Sequence, residues 1–530
     1  MGILPAFAAA AAVLQLSVMA ETFAQPPVFQ DLPDVDLIRV EDTFYYSSST
    51  FHYSPGAPIL RSYDLVNWEY LSHSLPTFEF DDPKFNLTEG RAYNDGVYAS
   101  SLRYHKSQNK FYWVGCMQGH GRTYIYTAPE IDGPWVKAST IIDYCLYDAG
   151  LLIDDDNTIY VASGKWTPNG AESQTWIAAL NENLQVERQE SVFQSNEELG
   201  YIEGARFYKI NGTYFLWLTN PGVGRGQIML RSSGDVWGPY DSWHRVLANN
   251  GAPIEGSGAP HQGALVDTSD GQYWYMAFVE LGTSGRFPVL APLEWDEDGW
   301  PNVVFDENGH WKSSYDYPLP RRDVEPIEGR FEFADSKIPA RFEWNHNPDN
   351  EKWLTGHDGL MLHTATVTDD FFAARNTLTH RILGPQSNVT IDLDYSSMAD
   401  GDRAGLATLR YNAGWIGVAK DGNSTTVQMV DHVEMDPSND FVTVSKGDVI
   451  AEEPILGDRI WLRCQISTKS PNLSIFSYST DGETFIELGQ AHETQQGAVW
   501  FTGTRHGIFN FATKNHGGYV VVKAFDIHLH

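Results

Sequence analysis

The chain has 530 residues, more than one ordinary domain holds, so at least two are expected. Its net charge of −33 works against nucleic acid, heparin-like polymers and anionic membranes as partners, and 42% hydrophobic residues allow a large core instead of global disorder. Aromatic residues reach 13%, a bias of strand-rich proteins and carbohydrate-binding surfaces.

In chain order, residues 5–16 (PAFAAAAAVLQL) form an apolar run the length of a secretory h-region. Small residues follow at two cleavage positions, after Ala20 or after Ala24, although no Lys or Arg precedes Arg39. Residues 1–20 are therefore expected to be a signal peptide and the protein to be secreted and extracellular. No later run is apolar enough to span a membrane. Five Asn-X-Ser/Thr sequons, at Asn86, Asn211, Asn388, Asn423 and Asn472, agree with that compartment. Three cysteines are too few for a disulfide framework; Cys116 and Cys145 can pair, leaving Cys464 as a buried thiol.

Five segments then share one outline, a strand, a tight turn with Asp, Asn or Gly, and an aromatic-rich strand. They open at Asp34, Ala99, Asp148, Glu203 and His261, at spacings of 65, 49, 55 and 58 residues. That is the length of a four-stranded propeller blade, longer than a helical repeat. Second halves such as PILRSYDLVNWE and QIMLRSSGDVWGPY add the outer strands; the third repeat is the least regular. A five-bladed β-propeller is expected over residues 28–310. A Pro- and charge-rich linker over 311–330 follows. Residues 331–530 alternate as strands between Asp-Gly and Asn-Gly turns and predict a β-sandwich of jelly-roll type. The fold class is all-β.

In a propeller, the residue opening each innermost strand faces the mouth of the central channel. Four of the openings here are Asp34, Asp148, Glu203 and His261. Three carboxylates converging on one pocket repel one another, a cost usually tolerated for function. Their protonation states can be driven apart into a base and an acid, the pair that glycoside hydrolysis needs. No Gly-X-Ser-X-Gly elbow or helical zinc motif competes with this reading.

These motifs carry a resemblance. LPDVDLIRVEDTFYY, YDAGLLIDDDNTIYVA, YIEGARFYKINGTYFL, APHQGALVDT and GRFPVLAPLEWDEDGWP look like successive blades of glycoside hydrolase family 43, and the C-terminal part resembles the module attached to its β-xylosidases and arabinofuranosidases. The resemblance implies an inverting hydrolase with Asp34 as general base, Asp148 orienting the acid and raising its pKa, and Glu203 as general acid. Asp36, two residues along the same strand, and Asp31 compete for the base role. It further implies that Phe51, beside His52, walls the sugar pocket and that Arg286 contacts sugar hydroxyls. His261 would line the channel and hold a cation or ordered water, or be a satisfied core histidine. Trp166 and Trp176 flank a loop suited to an acceptor subsite. No cofactor is required, with a structural calcium in the channel as the one metal considered.

The expected activity is release of terminal α-L-arabinofuranose from arabinoxylan, a neutral plant cell-wall polysaccharide, by a monomer. β-1,4-Xylosidase activity on xylo-oligosaccharides is the alternative, and a non-catalytic carbohydrate-binding propeller a more distant one.

Overall fold

Five antiparallel sheets of four strands each occupy residues 36–75, 100–141, 147–194, 203–247 and 261–303, here blades I to V. The computed structural model describes residues 21–142, 144–166, 173–221, 226–494 and 501–530, so the proposed signal peptide at 1–20 lies outside the described residues. In every blade the strands run outward from the channel in chain order. The innermost strands are Asp36–Val40, Ser100–His105, Tyr147–Ile153, Glu203–Ile210 and His261–Asp267.

Composition follows position in the blade. Second strands such as Lys110–Met117 (KFYWVGCM) and Thr213–Asn220 (TYFLWLTN) are buried along nearly their whole length, because a neighbouring blade covers each face. Outermost strands such as Val186–Gln194 (VERQESVFQ) are polar and largely exposed. Blade III has four strands like the others, and its irregular second half in sequence appears as two register shifts between Ser173–Leu180 and Val186–Gln194.

The ring closes between blades V and I, where Arg39 Nε donates to the Asp267 carbonyl at 2.9 Å. A short strand at Thr22–Ala24 pairs with Ser314–Asp316, adding a strap across the join. Residues 311–330 are thus more than a spacer: Trp311 and Tyr315 are buried in the propeller core. A disulfide links Cys116 of blade II to Cys145 just ahead of blade III. Cys464 is a buried free thiol in the second domain, its pKa pushed up to about 11 by burial.

That domain is a sandwich of a nine-stranded and an eight-stranded sheet around an aliphatic core. Its eight-stranded sheet ends on a strand of the propeller: Tyr53–Ser54 pairs with Phe342–Asn345. Glu343, fully buried at this join, accepts from Arg381 Nη1 at 3.0 Å and from Arg505, and lies 3.1 Å from His73 Nε2 of blade I. The two domains are therefore locked by shared β-pairing and a buried charge cluster.

Candidate active site

Blades III, IV and V open in the same way. Tyr147 pairs with Gly164 but Gly150 with Ala162; Glu203 pairs with Thr219 but Arg206 with Trp217; His261 pairs with Phe278 but Ala264 with Met276. Three residues on the inner strand thus span two on its partner, a one-residue bulge that re-aims side chains. The bulged residues Asp148, Gly204 and Gln262 adopt left-handed φ values of 50°, 66° and 41°. Asp34, φ 58°, stands the same two residues ahead of the first ladder pair of blade I, Asp36 with Ser47. The four openings are therefore not equivalent, as the repeat outline had them. Asp34 and Asp148 occupy the bulge position, while Glu203 and His261 occupy the residue before it. Asp tolerates the left-handed region better than most residues, so the local fold suits these side chains.

The three carboxylates share one mouth of the channel. Asp34 is buried; its Oδ1 accepts from Arg286 Nη1 at 2.8 Å and its Oδ2 from Ser49 Oγ at 2.6 Å. Asp148 is buried, and its Oδ2 accepts from Gly204 N at 2.9 Å. Glu203 Oε2 accepts from Tyr201 Oη at 2.7 Å and from Tyr147 Oη at 3.4 Å.

Burial, then the charges of Glu203 and Asp34, push Asp148 well above the usual carboxylate range. Burial raises Glu203 as well; donation from Tyr201 opposes the rise and the charge of Asp34 adds to it. The Tyr147 phenol is raised by Asp148, then by burial and Glu203, and stays a donor. The trio therefore resists carrying three negative charges together, which favours the protonated form at Asp148 and Glu203.

The two competitors for Asp34 are engaged elsewhere. Asp36 is fully buried and binds Ser101 Oγ, Leu102 N and Arg103 Nη1 of blade II, with Arg206 Nε of blade IV at 3.1 Å. It staples three blades across the channel. Asp31 accepts from Arg286 N and Gly503 N, both at 2.7 Å, so it ties the blade V strand to the sandwich.

Around the mouth, Arg286 contacts Asp34 and lies over the rings of Phe51 and Phe278, 5.6 and 5.0 Å from their centroids. Phe51 is buried and stacks on Phe501, with ring centroids 5.9 Å apart. Phe501 comes from the sandwich. Arg286 Nη2 donates to its carbonyl at 3.0 Å, and its own N donates to Asn94 Oδ1 at 2.9 Å. Nothing in the sequence pattern points to Phe501, because it lies outside the repeats and some 450 residues along the chain from Phe51.

His52 turns away from the pocket into the domain join, between Tyr53, Tyr93 and His346, where burial holds its pKa well below the usual histidine range. Trp176 is half-buried on blade III with Lys165 over its ring. The Trp166 side chain and the loop 167–172, proposed as a subsite, lie outside the described residues.

His261 is buried, its Nδ1 3.0 Å from the Ala259 carbonyl and its ring against Phe278. Calcium takes six to eight oxygen ligands. Among the described residues no three His, Cys, Asp or Glu side chains gather to hold a metal. In the channel Arg206 and Arg103 set their positive charge against Asp36.

Comparison with known proteins agrees with this fold. The model of glycosyl hydrolases family 43 matches residues 23–301. The chain belongs to glycoside hydrolase family 43. Residues 330–528 match the β-xylosidase C-terminal concanavalin A-like domain, so the protein is a family 43 glycoside hydrolase with both modules, and its substrate is a carbohydrate. It is 28% identical to a β-xylosidase of Formosa agariphila, over 95% of this chain and 90% of that one. It is 29% identical to a non-reducing end α-L-arabinofuranosidase of Bacteroides ovatus, over 66% of each chain. A solved family 43 hydrolase, from work engineering its active site to display both endo-xylanase and exo-arabinofuranosidase activity, superposes with a TM-score of 0.90 at 40% identity, over 96% of this chain and all of that one.

Proposed function

We propose that the enzyme releases terminal α-L-arabinofuranose from arabinoxylan with inversion, Asp34 acting as base, Glu203 as acid and Asp148 positioning and tuning the acid. The observation that carries it is the convergence of these three carboxylates at a mouth narrowed by Phe51 and Phe501. A water beside Asp34 attacks the anomeric carbon while the glycosidic C–O bond breaks. Asp34 takes the water's proton and Glu203 gives its own to the leaving oxygen. Inversion needs the two carboxyl groups about 6.5–9.5 Å apart, leaving room for that water. Asp34 Oδ2 accepts from both Ser49 and Arg286 Nη2, whereas Oδ1 accepts from Arg286 Nη1 and retains a lone pair for the water. Arg286 and the two Phe rings would grip the terminal sugar by its hydroxyls and its apolar face.

The 40% identity to the solved enzyme with exo-arabinofuranosidase activity supports the choice of arabinose. β-1,4-Xylosidase is the second reading, favoured by the β-xylosidases among the relatives. The Cys116–Cys145 disulfide supports secretion, with cleavage after Ala20 preserving the Thr22–Ala24 strand.

The test incubates the protein with nitrophenyl arabinofuranoside, nitrophenyl xyloside and arabinoxylan, and identifies the released sugar and its anomer. Free β-arabinofuranose as first product is expected. Xylose alone selects the second reading, and retention of configuration refutes the mechanism. Glu203→Gln should lose far more activity on arabinoxylan than on the nitrophenyl glycoside, whose leaving group needs little protonation.

A further inference from the structure

The fold separates the five Asn-X-Ser/Thr sequons sharply. Asn211 is exposed at the tip of the two-residue hairpin joining Glu203–Ile210 to Thr213–Asn220. Asn423 is exposed in the equally tight hairpin between Asn412–Asp421 and Ser424–Asp436. Asn472 is the opposite case. It is 7% exposed, and its Nδ2 donates to Ser284 Oγ at 2.9 Å and to the Ser467 carbonyl at 3.3 Å. Ser284 belongs to the propeller, so this amide is part of the domain join. Asn86 and Asn388 are half-buried and belong to neither group.

We propose that Asn211 and Asn423 carry N-linked glycans and that Asn472 does not. This rests on the reading that the chain enters a secretory pathway. The new bond would join Nδ2 to the anomeric carbon of a lipid-diphosphate-linked oligosaccharide. Nδ2 loses a proton, and the carbon–oxygen bond to the diphosphate breaks. Transfer reaches the chain while it is still extended, so sequence alone admits all five. The folded structure then selects. A sugar on Asn472 Nδ2 would break at least one of its two hydrogen bonds and stand where blade V meets the sandwich, so a chain modified there could not dock its domains. At the two hairpin tips a glycan projects into solvent at no cost to either sheet.

The placement also protects the catalytic mouth. Asn211 lies at the far end of the strand that begins with Glu203, roughly 25 Å away at 3.3 Å per residue. There it lines an 800 Å³ cleft with Tyr208 and Tyr273 at the opposite end of the channel. A glycan projecting from Asn211 at the rim of that cleft leaves the active site open.

The full chain is secreted from yeast behind a leader supplied by the host, so the outcome does not depend on residues 1–20. Purified active enzyme is trimmed with an endoglycosidase and its peptides are analysed by mass spectrometry. Sugar remnants are expected on Asn211 and Asn423 and none on Asn472. Asn211→Gln and Asn423→Gln should each remove one glycan from the intact mass and leave kcat/KM unchanged. Unmodified Asn211 or Asn423, or a remnant on Asn472 in active enzyme, would overturn the proposal.

Discussion

Glu203 is gripped by two phenols, and one of them is close enough to set how it titrates. The Tyr201 hydroxyl donates at 2.7 Å, which favours the ionised carboxylate and opposes burial and the charge of Asp34. Removing that hydroxyl leaves the upward influences less opposed. Glu203 then stays protonated to higher pH, so the acid form persists further into the alkaline range. Tyr201→Phe should move the alkaline limb of the kcat/KM profile to higher pH, since that profile reports groups of the free enzyme. A limb that stays put or moves down would show that Tyr201 does not control the acid.

The element that delivers these side chains is the bulge at the start of the inner strands. Gly204 occupies it in blade IV at φ 66°, where a Cβ would stand 2.8 Å from Thr219 Cγ2, and its N–H also holds Asp148. Gly204→Ala should cost about 1–3 kcal/mol of stability, read by urea denaturation, and lower activity through Asp148. Gly212→Ala is the control. Gly212 has φ 80° at a hairpin tip with nothing within 4 Å of a Cβ, so it carries the backbone strain without the crowding or the contact to Asp148. It should cost less and leave activity intact. Equal losses of activity in both would mean that the bulge does not position the site.

On the scale of the whole molecule, the buried Glu343 cluster decides how the domains hold together in acid. Burial alone would raise Glu343, but Arg381 and Arg505 outweigh it and hold the carboxyl below its usual range. A depressed carboxylate lends stability that is fully present above its unfolded pKa of about 4.3 and is lost as pH falls below it. The join should therefore loosen in strong acid, and Phe501 should leave the mouth with it. Glu343→Gln strands two buried guanidinium groups, an expected loss of about 3–5 kcal/mol. Thermal unfolding at neutral and acid pH checks this: the variant should melt earlier at neutral pH, with the difference shrinking in acid. A variant that matches the parent at neutral pH would refute the role of the cluster.

The sequence by itself determined the blades, the sandwich and the carboxylates, because alternation, turn residues and repeat length are local properties that each segment carries alone. It marked Arg286 and Phe51 only through the resemblance to the family. What it left open was decided by packing between segments far apart in the chain. Asp34 and Asp36 share a strand face and compete for one role in the sequence, and the approach of Arg103 and Arg206 from other blades makes Asp36 a structural anion. His52 adjoins Phe51 in sequence, yet the β-pairing of Tyr53–Ser54 with the sandwich carries it out of the pocket. The one-residue offset between Asp148 and Glu203 follows from a bulge whose register exists only once strands pair. Phe501 reaches the site only because two domains share a sheet and a buried charge cluster, and no local pattern encodes a contact across that distance.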